Sequence, residues 1–206
     1  MTVQTTTRLY DSYDDAKAVV DALESAGVPH ADISLVSNAA DHAASTAEPG
    51  TTDTAEAAAT GSGTGATLGT VLGGGAGLLA GLGMLAIPGV GPIVAAGWLV
   101  ATLTGAGVGA AAGGLAGSLT GAGVSEADAH VHAEGVRRGG AVVTVRTDNT
   151  MQGTVEAVLD GRKPVDLAAR RAEYETEGWT AHDEAAPAYS PEQITTERKH
   201  RVMSVS

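Results

Sequence analysis

Eleven glycines of this chain recur at intervals of four residues, and this spacing limits what the central third of the chain can fold into. The first series is Gly61, Gly65, Gly69, Gly73, Gly77 and Gly81, and the second is Gly105, Gly109, Gly113, Gly117 and Gly121. Glycine inside a helix costs up to ~1 kcal/mol relative to alanine, so helix propensity does not explain the repeat. Small residues at this spacing form a groove in which a second helix backbone lies very close.

The two glycine series lie in an interval without charge. Between Glu56 and Glu126 there is no charged residue, and 21 of the 29 glycines lie there. Residues 66–87 and 93–120 are each long enough, as helices, to extend roughly 30 Å, the thickness of a bilayer's hydrocarbon core. The sequence IPGVGP separates them and predicts a turn, formed by Pro88, Gly89, Gly91 and Pro92. The interval therefore predicts a glycine-rich helical hairpin.

The glycine groove favours self-assembly. Four residues advance about 400° around a helix, so the groove drifts about 40° at each step and turns halfway round over five steps. One straight partner cannot fill it, which favours a homo-oligomer packed through ten positions: Gly65, Gly69, Gly73, Gly77, Gly81, Gly105, Gly109, Gly113, Gly117 and Gly121. We expect membrane lipid as a further partner. A hairpin packed within a soluble oligomer remains the alternative, because glycine and alanine are weakly apolar and the flanking residues are acidic.

The two ends of the chain repeat one order of elements. Residues 5–10 predict a strand, the stretch 12–28 an amphipathic helix capped by Ser12 or Asp14, and residues 31–38 a second strand. The order recurs as a strand over 140–148, a helix over 150–162 and a strand over 163–170. Joined, the halves predict an α+β fold, a ferredoxin-like sandwich with two helices on one face of a four-stranded antiparallel sheet.

This interpretation divides the chain into five parts. They are the first half of the ferredoxin-like domain (1–38), a flexible linker (39–63), the glycine-zipper hairpin (64–123), a helix with the second half of the domain (124–178) and a disordered tail (179–206). Ser125 precedes the helix of the fourth part and is its expected N-cap.

Charge and composition exclude several functions. The net charge of −12 argues against nucleic acid as a partner, because phosphate binding needs clustered lysine and arginine. The pair Arg137–Arg138 and the basic run over 197–201 are expected to be solvated surface. Cysteine is absent, and the first residues lack the pattern of a signal peptide. We expect a cytoplasmic domain associated with the inner membrane.

No motif indicates an enzyme, a cofactor or a metal. Gly81, Gly83 and Ala86 fit a dinucleotide-binding spacing, but no acidic residue follows at the required distance. His130 and His132 are two residues apart, so on a helix they face different directions and are expected to be solvated or hydrogen-bonded. We therefore expect no catalytic residues, no cofactor and no metal site.

The residues resemble a known family. The stretches RLYDSYDDAKAVVDALESAGVPHADISLVSN, LAIPGVGPIVAAG, AHVHAEGVRRGGAVVTV and VDLAARRAEYETEGW are similar to bacterial proteins with the heat-induced general stress protein (YflT-type) domain. The resemblance covers residues 5–180 and implies a bacterial stress-response protein with no established enzymatic activity. The small founding members lack so large an insertion, so the resemblance implies nothing about the hairpin.

Two functions follow as expectations. The first is a non-enzymatic general stress protein that self-assembles through its glycine-zipper hairpin and associates with a membrane. The alternative is a soluble oligomeric module that binds a small ligand or has a regulatory role.

Overall fold

The computed structural model describes residues 3–46, 83–87, 91–100, 110–183 and 185–204. The strands are β1 (Gln4–Tyr10), β2 (Ile33–Asn38), β3 (Gly83–Ile87), β4 (Gly91–Gly97) and β5 (Ala141–Thr147). The helices are α1 (Tyr13–Ser25), α2 (Ala39–Thr46), α3 (Ala110–Gly121), α4 (Glu126–Arg137), α5 (Gln152–Asp160), α6 (Leu167–Thr176) and α7 (Pro191–Ser204). A 3-10 turn spans His30–Asp32, and residues 98–100 are helical.

The strands form one antiparallel sheet in the order β1-β5-β2-β4-β3. The last strand along the chain, β5, lies between β1 and β2, so the two predicted halves meet at the centre of the sheet. In this register Val143 lies opposite both Arg8 and Leu35. The mixed α/β class and the antiparallel sheet are therefore confirmed.

Helices α1 and α5 cover the same face of the sheet. Ser12 caps α1 by accepting a hydrogen bond from the amide of Asp15, and the apolar stripe of α1 is buried. The core on this face includes Val19, Leu23, Ile33, Val143 and Leu159. One helix from each end of the chain therefore packs on this face.

Helices α3 and α4 cover the opposite face. Ser125 caps α4 as predicted, accepting from the amide of Asp128. The core here includes Val36, Leu115, Leu119, Ala133 and Val142. Because both faces are covered, every residue of β2 is buried, where a sheet with one solvated face would show alternation.

The predicted strand over 163–170 is wrong. Asp166 caps a helix there by accepting hydrogen bonds from the amides of Ala168 and Ala169, and α6 continues to Thr176. Aspartate is a preferred N-cap, and the Leu, Ala, Arg and Glu residues that follow are good helix formers. Val165 donates from its amide to the carbonyl of Leu9 at 2.8 Å, and Leu167 packs against the core on the face of the sheet that α3 and α4 cover. In place of the fourth strand expected for a ferredoxin-like sheet, this stretch contributes the backbone hydrogen bond of Val165 at the edge of β1.

Within the expected helical hairpin, residues 83–87 and 91–97 are strands, whereas residues 98–100 and 110–121 are helical. The ranges 83–87 and 91–97 pair antiparallel as β3 and β4, with Ile87 opposite Gly91. The chain therefore reverses direction near the predicted turn, but Gly91 and Pro92 belong to β4, and Pro88 and Gly89 lie outside the described residues. Prolines at both ends of the turn disfavour a helix, and β4 adds to the sheet through β2.

Gly97, which belongs to neither glycine series, fixes how closely β4 approaches β2. Its φ is +92°, and a Cβ there would lie 2.1 Å from the carbonyl oxygen of Ile33 and 2.7 Å from the Cα of Ser34. Both atoms are backbone, so the clash cannot be relieved by a side-chain movement. Only glycine fits this position.

Two segments expected to lack structure are helical. The predicted linker begins with α2, in which Asn38 caps the first turn by accepting from the amide of Ala40, while residues 47–63 lie outside the described residues. The predicted disordered tail contains α7, whose Ile194 is buried. In the part of the chain that the structure describes, no helix is long and apolar enough to cross a membrane.

Candidate functional site

The predicted self-assembly residues divide into those the structure describes and those it does not. Gly113, Gly117 and Gly121 lie on α3. The other glycines of the two series lie outside the described ranges, namely Gly61, Gly65, Gly69, Gly73, Gly77, Gly81, Gly105 and Gly109. The geometry of the glycine series can therefore be followed only along its last two steps.

The described glycines of α3 lie opposite the residues that bury this helix. Leu115 and Leu119 are fully buried against α4 and the sheet, and each is about 200° of helix rotation from Gly117. Gly117 is half-buried and Gly121 is exposed. A Cβ added at Gly121 would meet no atom within 4 Å. Gly117 and Gly121 are thus turned away from the core that α3 builds.

A second candidate site is a buried cluster of charges on α4, centred on Glu134. The Glu134 side chain is 1% exposed and accepts from Arg137 at 2.6 Å and from Arg138 at 2.7 Å. Its other oxygen lies 3.2 Å from Nδ1 of His182. These three partners bring α4 and the tail together around one carboxylate.

Arg138 extends this cluster to the last two helices. Its guanidinium donates to Glu177 at 2.5 Å and to Glu197 at 3.2 Å, while its side chain is only 6% exposed. It also stacks over the ring of Tyr174, with 4.1 Å from Cζ to the ring centroid. Arginine suits such a site because its planar group donates in several directions and packs on aromatic faces. The expectation that the pair Arg137–Arg138 is solvated surface is therefore wrong. The pair forms a buried connection between these elements.

The electrostatics of the cluster favour the charged forms. Burial alone would raise the pKa of Glu134, but hydrogen bonds from Arg137, His182 and Arg138 outweigh it and hold that pKa well below the usual range. Burial likewise opposes the charge of Arg138, and its bonds to Glu134 and Glu177 raise its pKa nevertheless. The charges of Glu134 and Arg138 therefore hold these segments together.

A third cluster joins α7 to the start of α1. Arg201 and Arg170 both donate to the carboxylate of Asp11, at 2.7 Å and 2.9 Å. Arg198 donates to Asp41 at 2.7 Å. Of the basic run over 197–201, these two arginines are engaged in ion pairs, so that run is not the free solvated surface that was expected.

Two buried histidines carry ring nitrogens without partners in the part of the chain that the structure describes. They are Nδ1 of His132 and Nε2 of His182. Burial lowers the pKa of His132 to about 4, with Asp128 opposing and Arg8 adding to the shift. His132 is therefore a neutral, buried residue and not a solvated one.

An open cleft of about 400 Å³ lies between the end of α6 and α7. Its lining residues are Glu177, Tyr189, Glu192, Gln193, Thr196, Glu197 and His200. Among the described residues, no group of three histidine, aspartate or glutamate side chains is placed to hold a metal ion.

Sequence reasoning missed the Glu134 cluster because it carries no apolar period. The signal that was present is the spacing of Glu134, Arg137 and Arg138, since charges three and four residues apart face one another on a helix. The sequence does not show that α6 and the tail cover this helix face.

Comparison with known proteins supports the family for part of the chain. Residues 5–88 match the family model described as Heat induced stress protein YflT domain. This range includes β1, α1, β2 and α2, and it ends directly after β3. No curated protein and no solved structure matches the chain. The similarity that the comparisons establish is thus to a stress-protein domain, over residues 5–88 of 206.

Proposed function

We propose that this chain is a non-enzymatic bacterial general stress protein whose glycine-rich segment assembles copies of the chain. The match to the Heat induced stress protein YflT domain supports the stress-response part. The absence of any sequence motif that combines a nucleophile with an acid and a base supports a role without catalysis.

The observation that carries self-assembly is the orientation of α3. Its glycine stripe, Gly117 and Gly121, faces away from the core, with Gly117 half-buried and Gly121 exposed, while Leu115 and Leu119 hold the helix in place. The stripe is not needed to pack α3 against its own sheet. A glycine-lined helix face offers close backbone contact to the same face of a second copy.

The test of assembly is the mass of the full chain in solution, measured by size-exclusion chromatography with light scattering. We expect a multiple of the 20.3 kDa chain mass. A monomer both with and without detergent would reject self-assembly.

The proposal extends to a membrane. The interval without charge between Glu56 and Glu126 is compatible with lipid as well as with a protein partner. In cells, membranes washed with carbonate should retain the protein if the segment is inserted. Recovery of all the protein in the soluble fraction would reject this extension and leave assembly in water as the function of the glycines.

A ligand-binding or regulatory module is the second candidate function. The observation that favours it is the open cleft between α6 and α7, whose lining includes Tyr189, Gln193 and three glutamates. A rise in melting temperature with an added small cationic metabolite would support it, and this result does not depend on assembly.

A further inference from the structure

Polar contacts connect the tail, residues 179–204 as far as the structure describes them, to the rest of the fold, and Trp179 adds an edge-on ring contact with Tyr174 at 5.6 Å between ring centroids. Arg137 donates to the carbonyl of Pro187 at 3.0 Å and accepts from the amide of Tyr189 at 2.9 Å through its own carbonyl. Ile194 is the one buried apolar side chain of α7 among its described residues, and it lies against Gly139. A Cβ at Gly139, whose φ is +98°, would lie 2.6 Å from Ile194, so the glycine makes room for this contact.

One arginine of the tail joins three separate parts of the chain. Arg198 donates to the carbonyl of Asp11 at 2.8 Å, to the carbonyl of Gly139 at 3.0 Å and to the carboxylate of Asp41 at 2.7 Å. Asp11 precedes α1, Gly139 follows α4, and Asp41 lies in α2. Arg198 therefore contacts both halves of the fold and the helix that leads into the glycine-rich insertion.

Asp41 is the matching group on α2. Its carboxylate is 5% exposed and accepts from Arg198 with one oxygen and from the amide of Tyr13 with the other, at 2.7 Å each. A buried carboxylate needs both partners, because an unpaired buried charge is strongly destabilising. Removing Arg198 would leave Asp41 with the Tyr13 amide alone and weaken the hold of α2 on α1.

We propose that α7 is a clasp on α2, that is, a helix that docks on α2 reversibly. Docking of the tail through Arg198 and Asp41 fixes α2, the helix that precedes the glycine-rich insertion, and release of the tail frees α2. The clasp is weaker than the sheet core, since the Arg198 side chain is 37% exposed and Ile194 is the single buried apolar side chain among those of α7 that the structure describes. Local opening of such a segment occurs well below the free energy of global unfolding. This coupling is independent of whether the insertion assembles copies of the chain.

The experiment is hydrogen exchange of the full chain, followed by mass spectrometry, for the wild type, Arg198→Glu and Lys199→Glu. Lys199 is an exposed neighbour on the same helix and serves as the matched control. We expect Arg198→Glu to speed exchange about tenfold in both 191–204 and 39–46, with β5 unchanged, and Lys199→Glu to change neither. Faster exchange in 191–204 with 39–46 unchanged would overturn the clasp.

A second variant tests the reverse direction. Asp41→Asn keeps an oxygen that can accept from the amide of Tyr13 but loses the charge that Arg198 needs. Because coupling between two sites is reciprocal, exchange in 191–204 should rise in this variant as well. Unchanged exchange in 191–204 would contradict the proposal. If Arg198→Glu also unfolds β5, Arg198→Gln replaces it with the same expectation.

Discussion

Two sets of glycines in this protein serve different ends. Gly97 and Gly135 lie at points where a side chain would collide with the fold, Gly97 against the backbone of β2 and Gly135 against Leu9. Gly117 and Gly121 of the second glycine series lie on the outer side of α3, and Gly121 has open space around it. The first set is required by the packing of the chain on itself, whereas the packing around Gly121 leaves room for a side chain.

The difference shows that regular spacing does not identify the glycines that the fold requires. Gly97 stands outside both series, yet it permits the closest backbone approach, 2.1 Å from a virtual Cβ to the carbonyl oxygen of Ile33. The regular series has no comparable contact at Gly121. A glycine that the packing of its own chain does not require is available for contact with a second copy, and this reasoning underlies the proposed function.

The largest expected effect is at Gly97. Gly97→Ala places a methyl group against two backbone atoms at a φ of +92°, and overpacking together with left-handed strain should destabilise the protein by roughly 4 kcal/mol. The measurement is urea unfolding. Gly153→Ala is the control, because Gly153 is an exposed helix residue with no atom within 4 Å. Equal stability of the two variants would remove the distinction between the sets.

The next effect uses pH to separate the fold from the glycine-rich interval. His132 is neutral in the fold, with its pKa lowered to about 4 by burial, but becomes protonated near pH 6.5 when unfolded. Since the unfolded chain binds more protons in this window, stability falls as the pH drops from about 6.5 to 4, by about 3 kcal/mol from this residue. Residues 57–125 contain no titratable side chain, so assembly of the folded chain should not follow this change.

Chemical denaturation at pH 7 and pH 5 measures this effect. The variant His132→Gln should lose that part of the pH dependence, while His30→Gln, at an exposed position, should keep it. A wild type with the same profile as His132→Gln would show that His132 does not titrate between the two states.

A smaller effect is expected at Gly135. A Cβ there would lie 2.6 Å from Cδ2 of Leu9, which is the end of a side chain and can move, although Leu9 is buried. Gly135→Ala should therefore cost about 1 kcal/mol, after the gain in helix propensity offsets part of the overpacking. Leu9→Val shortens the side chain that a Cβ at position 135 would meet, so the double variant Leu9→Val, Gly135→Ala should be more stable than Leu9→Val alone. If the gain is absent, the contact with Leu9 is not what limits this position.

The smallest effect is expected at Gly121. Nothing lies within 4 Å of a Cβ at this position, and alanine is the better helix former, so Gly121→Ala should leave stability unchanged or raise it by up to about 1 kcal/mol. Thermal unfolding at a concentration below that of assembly measures the effect on the single chain. A clear destabilisation would mean that Gly121 belongs with Gly97 and not with a free surface.

The sequence predicted the elements whose apolar residues are periodic. The stripe of α1 and the strand at 141–147 follow from their patterns, and Ser125 caps α4 as expected, while of the two candidates Ser12 and Asp14 it is Ser12 that caps α1. The strand predicted over 163–170 is wrong because the N-cap at Asp166 favours a helix more strongly than the one β-branched residue, Val165, favours a strand. The prediction of a disordered tail is wrong for a different reason. Its order depends on Arg198 and Arg201 meeting carboxylates more than 150 residues away, and no local pattern encodes that distance.

The mass of the assembled protein tests the central claim most directly. Sedimentation equilibrium should be measured for the wild type, for Gly73→Leu with Gly117→Leu, and for Gly153→Leu as the control outside both series. If the glycine series hold copies together, the double variant sediments as a single chain, while the wild type and Gly153→Leu sediment as the same oligomer. An unchanged oligomer in the double variant would contradict the account and leave the glycine series without a role in assembly.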